Sequence, residues 1–301
     1  MTVMLASKTI AKINEMLEAD QGASFRGWLG KVIGHIGDAY RTEEDGFRSH
    51  MGASIIGKEC GREIWYGFRW TRKPKFPARI VRLFNRGHLE EARFIALLLM
   101  IGCQVYQQDE NGKQFRISHA GGHFGGSGDG IATGIPDVEV DQPVQCEFKT
   151  HGDKSFKELK EKGLRDAKFE HFVQMNCYMY KMGIPIGFYL AVNKNDDDLY
   201  GEIIYLNQEI ALEFLARGEQ LVFTNKPPAR ISNTPGFFKC RFCDLKATCH
   251  LKEPFEMNCR TCAHSTPFQD GTWKCTFTGH ELTKDAQLIG CENYVPLDMH
   301  A

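Results

Sequence analysis

The sequence predicts an α/β protein with a helical N-terminal part and a metal-bound, cysteine-rich C-terminal segment. Three observations carry this. Between Cys103 and Lys149, short runs of alternating apolar and polar residues are punctuated by Gly, Pro and Asp, as strands and turns are. On either side of that region, apolar residues recur at helical spacing. Seven of the eleven cysteines crowd into the last 62 residues, at spacings that suit a metal.

Residues 1 to about 50 read as mostly helical, with a break near Gly27–Gly30. SIIGKECGREIWYGFRW (54–70) starts another helix. Thr71–Pro77, with two prolines, is a connection. A helix from about Arg79 to about Met100 follows, interrupted near Gly87. Then come GCQVYQQ, QFRISHA, HFGGSGDGIATGI and VQCEFKT as strands, with PDVEVDQP as the turn before the last. Lysine-rich residues 154–168 lead into a helix over about 166–182. GFYLAVNKN and LYGEIIYL, separated by Asp196, Asp197 and Asp198, form a hairpin. One more helix covers about 207–223. The division expected is 1–75 as a helical N-terminal part, 76–232 as the core, 233–254 as a first cysteine segment and 255–301 as a second.

With 42% hydrophobic and 25% charged residues, the composition excludes disordered and collagen-like classes. No apolar run approaches the ~20 residues of a membrane helix, and the N-terminus lacks the apolar core of a signal peptide. A cytoplasmic protein with no membrane partner is therefore expected, and its cysteines are not a disulfide framework. Net charge is −1, so there is no global pull toward nucleic acid. Locally, Phe68–His88 carries Arg69, Arg72, Lys73, Lys75, Arg79, Arg82 and Arg86 with no acid, interleaved with Phe68, Trp70, Phe76 and Phe84. Such a stripe suits a nucleic-acid strand; it equally describes a solvated helix face beside core aromatics.

Alternation in VQCEFKT places Glu147 and Lys149 on one face and Cys146 and Phe148 on the other. A carboxylate there can hold Mg²⁺, while the ammonium orients water and screens phosphate charge, as phosphodiester hydrolysis requires. Asp129, in GGSGDGI on the preceding strand, faces Glu147 across the pair. Glu91 follows Gly87 by four residues on a helix. Gln174 and Tyr178 lie one helical turn apart.

The order Gly87…Glu91, Gly126…Asp129, Glu147…Lys149, Gln174…Tyr178 resembles the PD-(D/E)xK nucleases, in their RecB-like and lambda-exonuclease-like branch. The resemblance covers roughly residues 54–206. It implies a restriction-endonuclease-like core, a small mixed sheet flanked by helices. It implies that Glu91, Asp129 and Glu147 bind Mg²⁺ or Mn²⁺, that Lys149 positions the attacking water, and that Gln174 and Tyr178 support the site or the DNA backbone. His88 matches a histidine that some RecB-like members use as a metal ligand. Pro136–Asp137 also precedes the Glu-x-Lys motif; its place in the turn favours Asp129 as the ligand.

Cys240-x2-Cys243-x5-Cys249 is a compact metal spacing that could hold Zn²⁺ with His250. With Cys60 ahead of the core, the pattern resembles the iron–sulfur nucleases, which place one cysteine before the core and three after it. That resemblance implies a [4Fe-4S] cluster on Cys60, Cys240, Cys243 and Cys249; Cys60 also reads as a small buried hydrophobe. Cys259-x2-Cys262-x12-Cys275-x15-Cys291 reads as a structural Zn²⁺ site, in which His264 or His280 could replace a cysteine. Cys103, Cys146 and Cys177 fall on apolar faces and are expected in the core.

The function expected is an exonuclease acting on DNA ends, double-stranded or single-stranded, in recombination or DNA degradation. The size resembles phage-encoded enzymes, for which a single-strand annealing or recombination protein is a natural partner. An endonuclease or flap nuclease of the same superfamily, or a catalytically silent DNA-binding adaptor, are the alternatives. The sequence sets no oligomeric state.

Overall fold

A computed structural model of the chain describes residues 3–42, 46–139 and 141–299; Val140 of the expected turn lies outside them. The N-terminal elements are α1 (Ser7–Asp20), α2 (Ala23–Val32), α3 (Gly37–Tyr40), β1 (Met51–Gly52), α4 (Gly61–Phe68) and α5 (Ala78–Met100). Five strands follow: β2 (Gln104–Tyr106), β3 (Arg116–His119), β4 (Phe124–Ser127), β5 (Gly130–Thr133) and β6 (Val144–His151). Next come α6 (Asp153–Ala167), α7 (Phe169–Met182), β7 (Ile186–Asn193), β8 (Leu199–Tyr205) and α8 (Gln208–Phe223). The C-terminal part holds α9 (Phe238–Arg241), α10 (Lys246–Leu251), β9 (Ser265–Pro267), β10 (Trp273–Cys275) and α11 (Lys284–Leu288).

The chain divides into two compact units. The first comprises Met1–Glu44, Phe76–Ile117 and Ser127–Ala211; the second comprises Asp45–Lys75, Ser118–Gly126 and Leu212–Ala301. The first unit is built on a mixed five-stranded sheet in the order β2-β5-β6-β7-β8. Only β6 and β7 pair in parallel. Parallel neighbours need a crossover, and α6 with α7 supplies it. Cys146, Phe148, Phe188 and Leu190 face a core shared with Ile13 of α1 and Phe94, Ile95 and Leu98 of α5. Tyr189 and Ala191 face a second core with Phe156 and Leu159 of α6 and Phe172, Met175 and Met179 of α7. The small mixed sheet is thus flanked by helices, as the sequence predicts.

Several boundaries differ from expectation for identifiable reasons. The break in the N-terminal helices falls at Gln21 and Gly22, both left-handed (φ 53° and 76°), while Gly27 and Gly30 lie inside α2. α4 begins only at Gly61, after Cys60 in an extended conformation. α5 runs unbroken through Gly87, where nothing lies within 4 Å of an added Cβ. The segment 123–135 holds two strands in different sheets. The lysine-rich stretch is itself α6, with Phe156, Leu159 and Leu164 inward. Its solvent side carries Asp153–Lys157 (2.9 Å) and Glu158–Lys162 (3.0 Å) pairs, the i,i+4 arrangement with the acid first.

In the second unit, β1 pairs in parallel with β4, and β9 and β10 form a hairpin. Its interior is organised around two buried guanidiniums. Arg260 donates to Gln287 Oε1 (2.8 Å), Phe68 O (3.1 Å) and Ser49 O (2.8 Å), with the Trp70 ring 3.9 Å and the Trp273 ring 4.5 Å from its charge. Arg69 donates to Thr224 O (3.0 Å), Asn225 Oδ1 (2.8 Å) and Ser265 O (3.3 Å). Burial pushes each guanidinium down to about 9. Tyr66 Oη donates to Met299 O (2.6 Å) and Asn258 Nδ2 to Trp70 O (3.0 Å), tying the last residues to the α4 region. Part of the basic stripe is therefore interior: Phe68, Arg69 and Trp70 are buried, whereas Arg72, Lys73, Lys75, Arg79, Arg82 and Arg86 are exposed.

Candidate active site

The first unit brings the expected acidic and basic side chains together at the end of β5 and the middle of β6. Gly130 pairs with Cys146, so Asp129, one residue before β5, falls opposite Glu147. Asp129 Oδ2 accepts a hydrogen bond from Phe148 N (2.7 Å). Lys149 Nζ bonds Glu147 Oε1 and stands 4.0 Å from Asp129 Oδ2. Glu147 is 0% exposed, and its Oε2 has no hydrogen-bond partner among the described residues. Burial pushes the Glu147 carboxyl up, with Lys149 opposing and the Asp129 charge adding. Burial also works against the Lys149 ammonium, but the Glu147 and Asp129 carboxylates outweigh it and hold its pKa above the usual lysine value.

Glu91, on α5, joins the group through its charge. Burial first, then the Asp129 carboxylate, raises it to about 8, while a hydrogen bond with Gln107 opposes. Glu91 and Asp129 both line a cleft of about 800 Å³, together with Asp38, Gln107, Asp109 and Gln114. His88 sits three residues before Glu91 on the same helix, so the two share a face. Asp137 is used elsewhere. Its carboxylate accepts from Lys8 N (3.0 Å), Thr9 N (2.7 Å) and Thr9 Oγ1 (2.6 Å), satisfying the open first turn of α1.

On α7, Gln174 and Tyr178 are both buried and share a hydrogen bond. Burial raises the Tyr178 phenol, and the Glu147 and Asp129 charges add to that, so the ring lies within electrostatic reach of the acids. Sequence reasoning missed a polar chain beside them. His151 Nε2 meets Tyr189 Oη (2.8 Å), His171 Nδ1 meets the same oxygen (3.0 Å), and His151 Nδ1 meets Ser155 Oγ (3.0 Å). Burial, followed by nearby lysines including Lys149, pulls His151 down to about 4 and His171 to about 3, so both rings are neutral. The signal was available: His151 continues the 147, 149, 151 alternation, and His171 lies one turn before Gln174.

All four cysteines of each expected quartet lie in the second unit and are free thiols. Burial pushes the Cys243 thiol up to about 11, with Glu63 and Cys60 adding, while the Leu245 N–H opposes. Cys240 is raised by burial and then by Cys60 and Cys249. Burial raises Cys259 to about 11, with Cys262, Cys291 and Cys275 adding. Burial also raises Cys275, but hydrogen bonds from Thr278 and Phe277 outweigh it and hold the thiol below its usual value. Each quartet is therefore gathered within range of mutual repulsion. Among the described residues, no three His, Cys, Asp or Glu side chains are arranged to hold a metal ion as they stand. Cys103, Cys146 and Cys177 are buried, as expected.

No helix among the described residues is long and apolar enough to cross a membrane. No family model matches the chain, and no curated protein matches it. Among solved structures, the chain is similar to SSO0001, with TM-score 0.39 and 14% identity over 77% of this chain and 98% of that one. It is also similar to LHK-Exo in complex with dAMP, with TM-score 0.39 and 14% identity over 65% and 90% of the two chains. The alkaline exonuclease LHK-Exo from Laribacter hongkongensis gives TM-score 0.38 at 14% identity, with the same coverage.

Proposed function

We propose that the chain is a metal-dependent deoxyribonuclease of the PD-(D/E)xK type, with Glu91, Asp129, Glu147 and Lys149 as its centre. The observation that carries this is the placement of Lys149 Nζ between Glu147 Oε1 and Asp129 Oδ2, with Asp129 anchored on the backbone of the Glu147 strand. The donor set fits a divalent ion. Burial and then the Asp129 charge raise the Glu91 carboxyl, burial and Asp129 also raise that of Glu147, and Glu147 Oε2 is buried without a partner among the described residues, a cost that a cation would offset. Glu91, Asp129 and Glu147 would hold Mg²⁺ or Mn²⁺, with His88 as an outer candidate. The ion would supply neutralisation of phosphate charge and activation of water.

The chain's own groups do the rest. Released from Glu147, the Lys149 ammonium can donate to the attacking water and to the scissile phosphate. The Phe148 N–H fixes the Asp129 carboxylate, so that its second oxygen is presented without rotation. Gln174 and Tyr178 pack beside the acids and hold their direction. Neutral His151 and His171 back Lys149 without adding charge that would repel it.

Under the same proposal, Cys60, Cys240, Cys243 and Cys249 hold a [4Fe-4S] cluster, and Cys259, Cys262, Cys275 and Cys291 hold Zn²⁺. The gathered free thiols support this, as do N–H groups aimed at Cys243 and Cys275, since both favour thiolate ligation. The enzyme is an exonuclease acting on DNA ends in recombination or DNA degradation, phage-encoded, working in the host cytoplasm beside an annealing or recombination protein. Linear duplex, closed circular duplex and single-stranded DNA, each with and without Mg²⁺ or Mn²⁺, test it. Metal-dependent loss of linear DNA with the circle intact is the expected result. Cutting of the circle would make the chain an endonuclease. Salt-sensitive binding with no cleavage would make it a silent adaptor.

A further inference from the structure

The C-terminal half of the second unit carries aromatic rings that the fold leaves in water. Phe238 is 61% exposed and Phe242 is 77% exposed, although neither is needed to close a core. They lie four residues apart, at the start and just past the end of α9, so they sit on one side of a single turn. Their Cβ atoms are then roughly 5–6 Å apart. Each ring has a cation beside it: Lys239 Nζ is 5.7 Å from the Phe238 centroid, and the Arg241 guanidinium is 5.5 Å from that of Phe242. Lys239 also bonds Glu59, which fixes its stem, while Arg241 is exposed. From Lys226 to Lys252 the chain holds six Lys or Arg and one acid, Asp244, in a protein whose net charge is −1.

We infer that Phe238 and Phe242 form a stacking platform for single-stranded nucleic acid, with Lys239 and Arg241 on its backbone. Exposed rings with adjacent cations match the two faces of a single strand: bases stack on the rings, and phosphates meet the charges. A duplex keeps its bases stacked on each other and can offer only its phosphates. The platform therefore selects single strands from the DNA substrates of the proposed nuclease, and in that respect rests on that reading. An apolar partner or a second copy of the chain would have no use for the two cations, Lys239 and Arg241, that stand beside the rings. Complementarity to phosphate selects between these occupants.

Fluorescence anisotropy of the full-length chain on a labelled 20-nucleotide single strand, and on the same sequence as duplex, tests this without added divalent cation. Phe238→Ala with Phe242→Ala is the variant, and both side chains are exposed enough to be lost without unfolding. Single-strand affinity should fall by about tenfold or more, and duplex affinity should change less than twofold. Phe238→Trp with Phe242→Trp should restore single-strand binding, and 2-aminopurine in the strand should be quenched by wild type and not by the alanine variant. Single-strand binding within twofold of wild type would overturn the platform, as would equal losses on single strand and duplex. Loss of self-association in place of strand binding would overturn it in favour of a dimer face. Cleavage with Mg²⁺ is scored separately. A chain that cuts DNA but binds strands normally without the rings refutes the platform alone. A chain that never cuts, yet loses strand binding with the rings, refutes the nuclease reading alone.

Discussion

Asp129 accepts a hydrogen bond from the backbone N–H of Phe148, 2.7 Å away, on the strand between Glu147 and Lys149. One carboxylate oxygen is thereby spent on holding the side chain against β6, and the geometry of the acidic group becomes a property of the sheet. Asp137 spends its carboxylate on Lys8 and Thr9 instead. Under the proposed function the two aspartates therefore take separate roles, catalytic for Asp129 and structural for Asp137. Asp129→Asn should lower cleavage at least ~100-fold, the scale of losing one preorganised charged group, with an unchanged melting temperature. Asp137→Ala should cost about 1–2 kcal/mol of stability through the uncapped helix and leave turnover of the folded fraction intact. The reverse pattern in a paired activity and melting assay would assign the site to Asp137.

Glu147 and Lys149 form a pair that cannot be halved cheaply. Glu147 has no exposure, so Lys149→Met leaves an uncompensated buried carboxylate, at ~3–5 kcal/mol unless it takes up a proton. Glu147→Gln with Lys149→Met removes both charges and should recover most of that loss. Both variants should be inactive. A chemical denaturation series in which the double variant is no more stable than the Lys149→Met single would show that the pair contributes little to the fold.

What could be read from the sequence divides along local and non-local lines. The alternation of VQCEFKT fixes the face shared by Glu147 and Lys149, and that is a property of one strand. The split of 123–135 into β4 and β5, which leaves Asp129 at the junction, depends on which distant strands each half pairs with, and no local pattern carries that. α6 was missed because its lysines dilute the apolar signal, although Phe156 and Leu159 keep helical spacing. The faces of His151 and His171 follow from the β6 alternation and the α7 spacing, but their link through Tyr189 joins three separate elements, and no local pattern carries it. Gly87 misled in the opposite sense, because glycine weakens a helix without ending it.

That last point can be measured. Gly87 lies inside α5 with open space where a Cβ would go, so Gly87→Ala should stabilise the chain by about 0.5–1 kcal/mol. Gly87 also opens the segment that ends at Glu91, and under the proposed function the absent side chain would leave room for a substrate backbone. Stability and cleavage should therefore move in opposite directions, with a higher melting temperature and a raised KM for DNA. A variant that is more stable and equally active would reduce Gly87 to an ordinary helix glycine.

The buried histidines give the chain an acid-side sensitivity. His151 and His171 fall from an ordinary 6.5 to about 4 and about 3 in the folded state. The unfolded chain therefore binds more protons below pH ~6.5, and stability present above that value is lost as pH falls toward 4. Glu91, raised to about 8, works in the opposite sense: its contribution is present below its unfolded value near 4.5 and is lost as pH rises through 8. The net curve mixes the two, so the test is differential. Denaturation of His171→Gln and wild type at pH 7.5 and pH 5 should show the variant gaining on wild type by up to about 1.4 kcal/mol per pH unit below 6.5. Parallel curves would mean that the ring is not held neutral.

The last prediction concerns the two cysteine quartets. From spacing, the tail set needs nothing from upstream. The backbone around it is tied to the rest of the second unit all the same, through Arg260 to Ser49 and Phe68, Asn258 to Trp70, Arg69 to Ser265 and Tyr66 to Met299. Cys60 immediately precedes α4, the helix that carries Tyr66 and Phe68. Under the proposed ligation, anaerobically purified protein should be brown and contain zinc. Cys60→Ala should lose the colour and keep the zinc, because the tail quartet does not include it. Truncation near residue 255 should remove the zinc and also most of the colour, since Arg69, Trp70 and Tyr66 lose their partners and the α4 region that presents Cys60 is left exposed. Iron and zinc analysis beside a thermal melt reads all three results. A truncated chain with full colour and an unchanged melt would show the tail to be an independent appendage. A colourless anaerobic preparation carrying two zinc ions per chain would replace the iron–sulfur assignment with a second zinc site completed by His250.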